Sequence, residues 1–225
     1  MACAGRLVYR GEVPGSLGLS PVMRIDDAKL EDALCAGERG GTMAHAGDVI
    51  ENPVRGERVV FLRTAADTDG ELVRFDFFMK PHVPPMFEHI HARQEERIEV
   101  VSGTVSYRLG GKEYCLTAGE FVVLPPGRSH TLWNSGDEQV HAIMEARPAL
   151  MLETTFETLY GLARDGKTNK QGTPNLLQGA VIGLASDTFL ARPPVFVQRI
   201  FLAVLAPLAR LFGYRSRYPQ YSRSE

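Results

Sequence analysis

Residues 119–134 read GEFVVLPPGRSHTLWN and place a short apolar run, a turn and a histidine in immediate succession. The run FVVL has the length and the β-branched content of a strand. Pro125 and Gly127 then provide the backbone conformations of a tight reversal. On the strand that follows, His130 and Asn134 share one face because side chains alternate with a period of two. The stretch predicts two antiparallel strands, with His130 directed inward and Asn134 bracing a turn.

A second stretch, EHIHARQEERIEV at residues 88–100, places two histidines one residue apart. On a strand, His89 and His91 project to the same side of the sheet and can reach one point, as the ligands of a metal ion must. The same pattern also occurs where histidines are only polar surface, so alone it is a weak signal. Its interpretation depends on further ligands elsewhere in the chain.

Three glutamates follow these histidines, and the pleat of the strand distinguishes among them. If Glu96 faces the interior, the apolar Ile98 faces it too. If Glu95 or Glu99 faced the interior, Arg97 would accompany them, and burying unpaired charges is costly. Alternation therefore favours Glu96 as the inward carboxylate.

The two stretches together resemble the two sequence motifs of the cupin family. Residues 119–134 match the second motif, G-x5-P-x-G-x2-H-x3-N, at every fixed position. The first motif, G-x5-H-x-H-x4-E-x6-G, is matched from its first histidine to the final Gly103, but Val83 stands where the motif opens with glycine. The 15 residues 104–118 separate the motifs, a short spacing typical of bacterial cupins. Two independent motifs in the right order make the resemblance specific.

The resemblance implies a mainly β protein, a double-stranded β-helix or jelly-roll barrel, with a metal ion deep inside. Carried onto this chain, it implies that the metal ligands are His89, His91, Glu96 and His130. Three imidazoles and a carboxylate suit a divalent first-row metal, namely Fe, Mn, Ni, Co or Zn, without selecting one of them. No residue is assigned a catalytic role.

The patterns outside the motifs divide the sequence into three segments. Residues 1–45 form an N-terminal extension with one helix predicted over 26–37. Residues 46–148 show short alternating stretches separated by turn residues, as a cupin barrel requires. Residues 149–225 change to helical spacing and form a C-terminal helical extension.

Three helices are predicted in the C-terminal extension, within 150–166, 173–186 and 193–213. Thr173 is a possible cap of the second helix, with Pro174 at its start. The third is apolar around most of its circumference and is expected to bury most of it. Its partner is open between the barrel, a second subunit and a membrane surface.

Aromatic and apolar residues of the predicted strands are candidates for the wall of a substrate pocket. Alternation places them on inward faces, where the competing interpretation is plain core packing. The candidates are Phe75, Phe77, Phe87, Tyr107 and Met144. A pocket of this composition would suit a small apolar or aromatic molecule.

Composition excludes several classes of protein. The formal net charge is −2, so the chain lacks the basic footprint of a nucleic-acid binder. The longest apolar run, residues 200–209, is too short for a membrane span, which needs roughly 20 residues. The N-terminus shows no signal peptide, and three cysteines form no CxxC pair. We therefore expect no disulfide framework and a cytoplasmic protein, and we also predict a homodimer.

Three functions are compatible with these residues. The leading hypothesis is a metal-dependent enzyme of the dioxygenase type that acts on a small, apolar or aromatic organic molecule. The first alternative is a non-redox isomerase, lyase or cyclase, with or without metal. The second is a non-catalytic protein that binds a small ligand. One fold hosts many functions, so the fold alone does not choose among them.

Overall fold

The computed structural model describes residues 44–222. The helix predicted over 26–37 lies outside the described residues, as does nearly all of the N-terminal extension. Among the described residues, no helix is both long and apolar enough to cross a bilayer.

Two antiparallel sheets form the barrel. The larger sheet has the order β1-β2-β3-β10-β5-β8, and the smaller one has the order β11-β4-β9-β6-β7. The strands are β1 (Val49–Asn52), β2 (Glu57–Arg63), β3 (Val73–Met79), β4 (His89–His91), β5 (Glu95–Ser102), β6 (Thr104–Leu109), β7 (Lys112–Thr117), β8 (Phe121–Leu124), β9 (His130–Trp133), β10 (Val140–Arg147) and β11 (Thr188–Leu190). This arrangement confirms the predicted mainly β, jelly-roll fold.

Side-chain alternation along the strands builds the core between the sheets. Every second residue of Val73–Met79 is buried, and the residues between them are partly exposed. Strand β10 lies between β3 and β5, so that Met144 is paired with Phe75 on one side and with Ile98 on the other. The buried faces of neighbouring strands thus align into one continuous apolar layer.

Gly103 takes the chain from the larger sheet, where β5 ends, into the smaller sheet, where β6 begins. Its φ of +80° is a left-handed conformation that side chains disfavour. A Cβ at this position would also lie 2.8 Å from the backbone oxygen of Gln139. The glycine that ends the first motif is therefore required by backbone geometry.

Asn134 braces the turn after β9, as predicted. Its Nδ2 donates to the backbone oxygens of Lys80 and Glu138, at 2.9 and 2.7 Å. Its Oδ1 accepts from the backbone N–H of Gly136 at 2.9 Å. One buried side chain thereby ties the turn to the end of β3.

Three helices follow the barrel: α1 (Leu152–Arg164), α2 (Leu176–Ala185) and α3 (Val195–Leu211). Helix α1 packs on the barrel, because Leu152 and Tyr160 join the core cluster. Helices α2 and α3 pack against each other.

Two details of the C-terminal region differ from the sequence prediction. The cap of α2 is Asn175, whose side chain accepts a hydrogen bond from the N–H of Gln178, so the prediction of Thr173 was wrong. Pro174 precedes the cap and forms an isolated bridge with Thr168. The outward face of α3 is exposed, whereas we expected most of the helix to be buried.

Cys115, on β7, is disulfide-bonded. A single bond is not the disulfide framework against which the spacing of the cysteines argued.

Glu157, on α1, is 4% exposed and accepts a 2.9 Å hydrogen bond from Ser222 Oγ. Burial, only partly offset by Ser222 and by Arg217, raises the pKa of Glu157 to about 7. The folded state therefore binds a proton that the unfolded state releases, and stability falls as the pH rises from about 5 through 7. We expect Glu157→Gln to be more stable than the wild type at pH 8 by about 1 kcal/mol, and equally stable at pH 4. Urea unfolding at the two pH values measures this, and a wild-type advantage at pH 8 would contradict it.

Candidate metal centre

Three histidines meet between two neighbouring strands of the smaller sheet. His89 and His91 lie on β4, and His130 lies directly opposite His89 on β9. Their ring centroids are 4.5 to 5.4 Å apart. All three are buried, with 8%, 5% and 2% of their surface exposed. The period of two that places His89 and His91 on one side of β4 thus brings both toward His130.

Glu96 reaches the same point from β5, in the opposing sheet. Its Oε2 lies 3.0 Å from Nε2 of His130, and its Oε1 lies 3.3 Å from Nε2 of His91. Glu96 is buried, whereas Glu95 is exposed and Glu99 is partly exposed. The pleat therefore directs Glu96 inward, as the sequence predicted.

The hydrogen bonds of the histidines fix which ring nitrogens face the cluster. Nδ1 of His89 lies 3.3 Å from the backbone oxygen of Phe87, and Nδ1 of His130 lies 2.9 Å from that of Arg128. A carbonyl oxygen only accepts, so each Nδ1 carries the proton. The Nε2 atoms are then left with lone pairs for a metal ion.

His91 is oriented by Thr188, on β11. The Thr188 hydroxyl lies 3.3 Å from Nδ1 of His91 and donates to the backbone oxygen of Ser186 at 3.2 Å. Since its proton is used there, the hydroxyl accepts from Nδ1–H of His91. Sequence reasoning missed Thr188, which comes from the C-terminal extension through pairing of β11 with β4.

Burial and mutual charge set the protonation of the cluster. Burial lowers the pKa of His89 to about 3 and also lowers the pKa of His91. Burial alone would raise the pKa of Glu96, but the neighbouring imidazoles hold it below its usual range. Burial opposes charge on His130 too, yet the Glu96 carboxylate raises the pKa of His130. These shifts favour neutral imidazoles on His89 and His91 and an ionised carboxylate on Glu96, the forms that bind metal, whereas on His130 the carboxylate favours a proton that a metal ion must displace.

The donor set fits a metal ion. One nitrogen from each of the three histidines lies within 4.8 Å of the others. Nε2 of His130 is buried, and within the described residues it has the Glu96 carboxylate beside it at 3.0 Å, outside hydrogen-bond geometry. Buried polar atoms are nearly always satisfied, so this nitrogen calls for a ligand that a metal ion can supply. Three buried histidines of this kind can hold one first-row divalent ion.

The five candidate pocket residues separate into two groups. Phe87 is 41% exposed, and its ring centroid is 5.9 Å from that of His89. The other four are buried members of the barrel core: Phe75, Phe77, Tyr107 and Met144. Packing among aromatic rings accounts for Phe75 and Tyr107, which contact Phe156 and Tyr114 respectively.

The two other histidines near the motifs in sequence lie outside the cluster. His82 is exposed and pairs with Asp137 at 3.2 Å. His141 pairs with Asp76 at 2.7 Å and stacks on the ring of Phe78. Both histidines therefore have partners of their own outside the candidate centre.

The fold and the cluster define a double-stranded β-helix protein with a candidate metal centre. Residues 78–144 match the family model for the cupin domain. Residues 78–144 therefore form a cupin domain within the chain.

Three similar proteins illustrate the match. An oxidoreductase from Arthrobotrys oligospora is 31% identical over 141 residues, covering 58% of this chain and 50% of that protein. The chain thus spans about half the length of the curated relative it matches. KdgF from Halomonas sp. has a TM-score of 0.40 and 17% identity, covering 48% of this chain and 93% of the other. An RmlC-like cupin from Shewanella frigidimarina has a TM-score of 0.39 and 21% identity, covering 48% of this chain and 90% of the other.

Proposed function

We propose that His89, His91, Glu96 and His130 hold a divalent first-row metal ion, and that the protein is a metal-dependent oxidoreductase of the dioxygenase type. The observation that carries this proposal is the convergence of the Nε2 atoms of His91 and His130 on the Glu96 carboxylate, at 3.3 and 3.0 Å, in a buried site. The relative named an oxidoreductase supports the reaction class.

Four protein ligands on a six-coordinate ion leave up to two positions for a small molecule. A bound metal would supply a Lewis acid and a place for a substrate and O2 to meet. The side chains of the protein orient the proposed ligands and shield the site from water. The hydrogen bonds of Nδ1 hold the imidazoles of His89 and His130 in one tautomer, and the Glu96 carboxylate offsets part of the metal charge.

The substrate we propose is a small apolar or aromatic molecule. Phe87 presents an exposed ring beside His89, and aromatic side chains at a pocket recognise apolar surface. The barrel core beneath the cluster is apolar and keeps water away from it. An apolar substrate would lose little solvation on entering such a site.

The experiment is a screen of small aromatic and apolar compounds with the metal-loaded full chain. O2 uptake and products, identified by mass spectrometry, are compared in air and under anaerobic conditions. We expect turnover that requires O2 and is lost in His130→Ala, with His82→Ala as the matched control because His82 lies outside the cluster. Turnover without O2 would show an isomerase, lyase or cyclase, and a ligand retained unaltered would show a binding protein.

Thr188→Val is expected to weaken metal binding about tenfold, because it removes the acceptor that orients His91. The variant keeps the shape of the side chain, so stability should change little. Competition with a metal chelator measures the affinity. Thr155→Val, which removes a hydroxyl on α1, is the matched control. Equal affinities of Thr188→Val and the wild type would show that Thr188 does not position His91.

A further inference from the structure

Helix α3 presents an outer face that is apolar throughout. Its exposed large residues are Phe196, Val197, Ile200, Phe201, Val204, Leu208 and Leu211. Ile200 is 67% exposed and Leu211 is 82% exposed. On a helix these residues lie within one broad stripe, since each residue turns by 100°. Contiguous apolar patches of this kind mark surfaces that bind a partner.

The fold does not need the outer face. The opposite side of α3 is buried through Gln198, Ala206 and Ala209. The alanines pack with Val181 of α2, and the Gln198 amide bonds both backbone groups of Leu190, at 3.0 and 2.9 Å. The inner side thus fixes the helix, and within residues 44–222 the outer face is exposed along its length.

The segment that carries this face has one sign of charge. Residues 188–222 contain five arginines and no lysine, aspartate or glutamate, in a chain whose net charge is −2. Arg199 pairs with Asp187 at 2.7 Å and Arg217 interacts with Glu157, so the cations offered to a partner are Arg192, Arg210 and Arg215. Arg192 and Arg215 are exposed beyond the two ends of α3. Arg199 and Arg210 lie along one border of the outer face, where they are partly exposed. An apolar stripe bordered by cations matches a surface with an apolar interior and anionic groups above it.

We propose that the outer face of α3 docks on the surface of a bilayer that contains anionic phospholipid. The helix lies in the plane of the interface, because its inner side remains packed on α2. The apolar stripe enters the acyl region, and Arg192, Arg210 and Arg215 contact the phosphate groups. A second copy of the chain fits less well, because it would bring the same three cations to the interface without a carboxylate from residues 188–222.

The test is flotation of the full-length protein with vesicles of phosphatidylcholine alone and of phosphatidylcholine mixed with phosphatidylglycerol. We expect binding to the mixed vesicles that exceeds binding to the neutral ones and decreases as salt is added. The double variant Ile200→Glu, Val204→Glu should reduce binding by about tenfold or more. The matched control is Val49→Glu, Val101→Glu, which makes the same charge change at two exposed apolar positions on the barrel.

Three results would overturn the proposal. The first is no binding of the wild type to either vesicle. The second is equal binding by the α3 variant and the barrel control. The third is a dimer in analytical ultracentrifugation that the α3 variant dissociates, without vesicle binding, which would identify a second copy as the occupant. The dependence of vesicle binding on lipid composition and on salt is measured with the wild-type protein, so it tests the proposal even if a variant fails to fold.

Discussion

His130→Ala is expected to lower the affinity for metal by about 100-fold or more, the largest effect we predict. The substitution removes one of the four proposed ligands, and it leaves Glu96 with its Oε2 facing a cavity in place of an imidazole. The measurement is the ratio of metal to protein, by elemental analysis, after dialysis against a graded series of chelator concentrations.

His82→Ala is the control for that measurement. His82 is an exposed histidine that pairs with Asp137, so its loss changes the histidine count without touching the cluster. This control should retain metal like the wild type. Equal loss of metal in both variants would place the metal elsewhere, on exposed histidines, and would contradict the assignment of the centre.

Gly161→Ala is expected to destabilise the protein by about 2 to 3 kcal/mol. Gly161 lies on α1, where a Cβ would stand 2.1 Å from the ring of the buried Tyr221. The backbone at position 161 and the ring of Tyr221 cannot both stay in place, so the C-terminal turn that carries Tyr221 must move away from α1. The shift in the midpoint of urea unfolding measures the loss.

Gly179→Ala is the matched control, because a Cβ at Gly179 on α2 would meet nothing within 4 Å. Alanine favours helix there, and stability should stay equal or rise by up to about 1 kcal/mol. Tyr221→Ala should make the protein insensitive to Gly161→Ala, since the clash is then gone. If Gly161→Ala and Gly179→Ala had the same effect, the close packing of Tyr221 on α1 would be wrong.

The sequence was informative where one face of a strand is buried. Alternation assigned the buried side of β3 and selected Glu96 over Glu95, because exchanging faces would have buried Arg97. Two sequence motifs located His89, His91 and His130, which the structure places within reach of one another. Such predictions succeed because the physical rule acts between residues that are close in sequence.

The sequence was less informative where a partner comes from far along the chain. Thr188 contacts His91 across 97 positions, and β11 has only three residues, too few to show alternation. The cap of α2 fell on Asn175 and not on Thr173, because both side chains can cap and only the path of the backbone decides between them.

Helix α3 shows a different limit of prediction from the sequence. Its apolar circumference predicted a helix that is mostly buried, but Ile200 and Leu211 are exposed within the described residues. Composition states how much apolar surface a helix has, and it does not state what covers that surface. The arginines of residues 188–222 supply the missing information, because their charge favours one class of partner.

The claim that the side chains of the candidate metal centre hold a metal ion is tested by the metal content of the wild-type protein. The full chain is expressed in medium supplemented with first-row metals and purified without chelators, and its metals are counted by elemental analysis. We predict about one first-row metal ion per chain, bound at the centre formed by His89, His91, Glu96 and His130. A folded protein that is purified without metal, and that binds none when Fe, Mn, Ni, Co and Zn are added in turn, would contradict that claim.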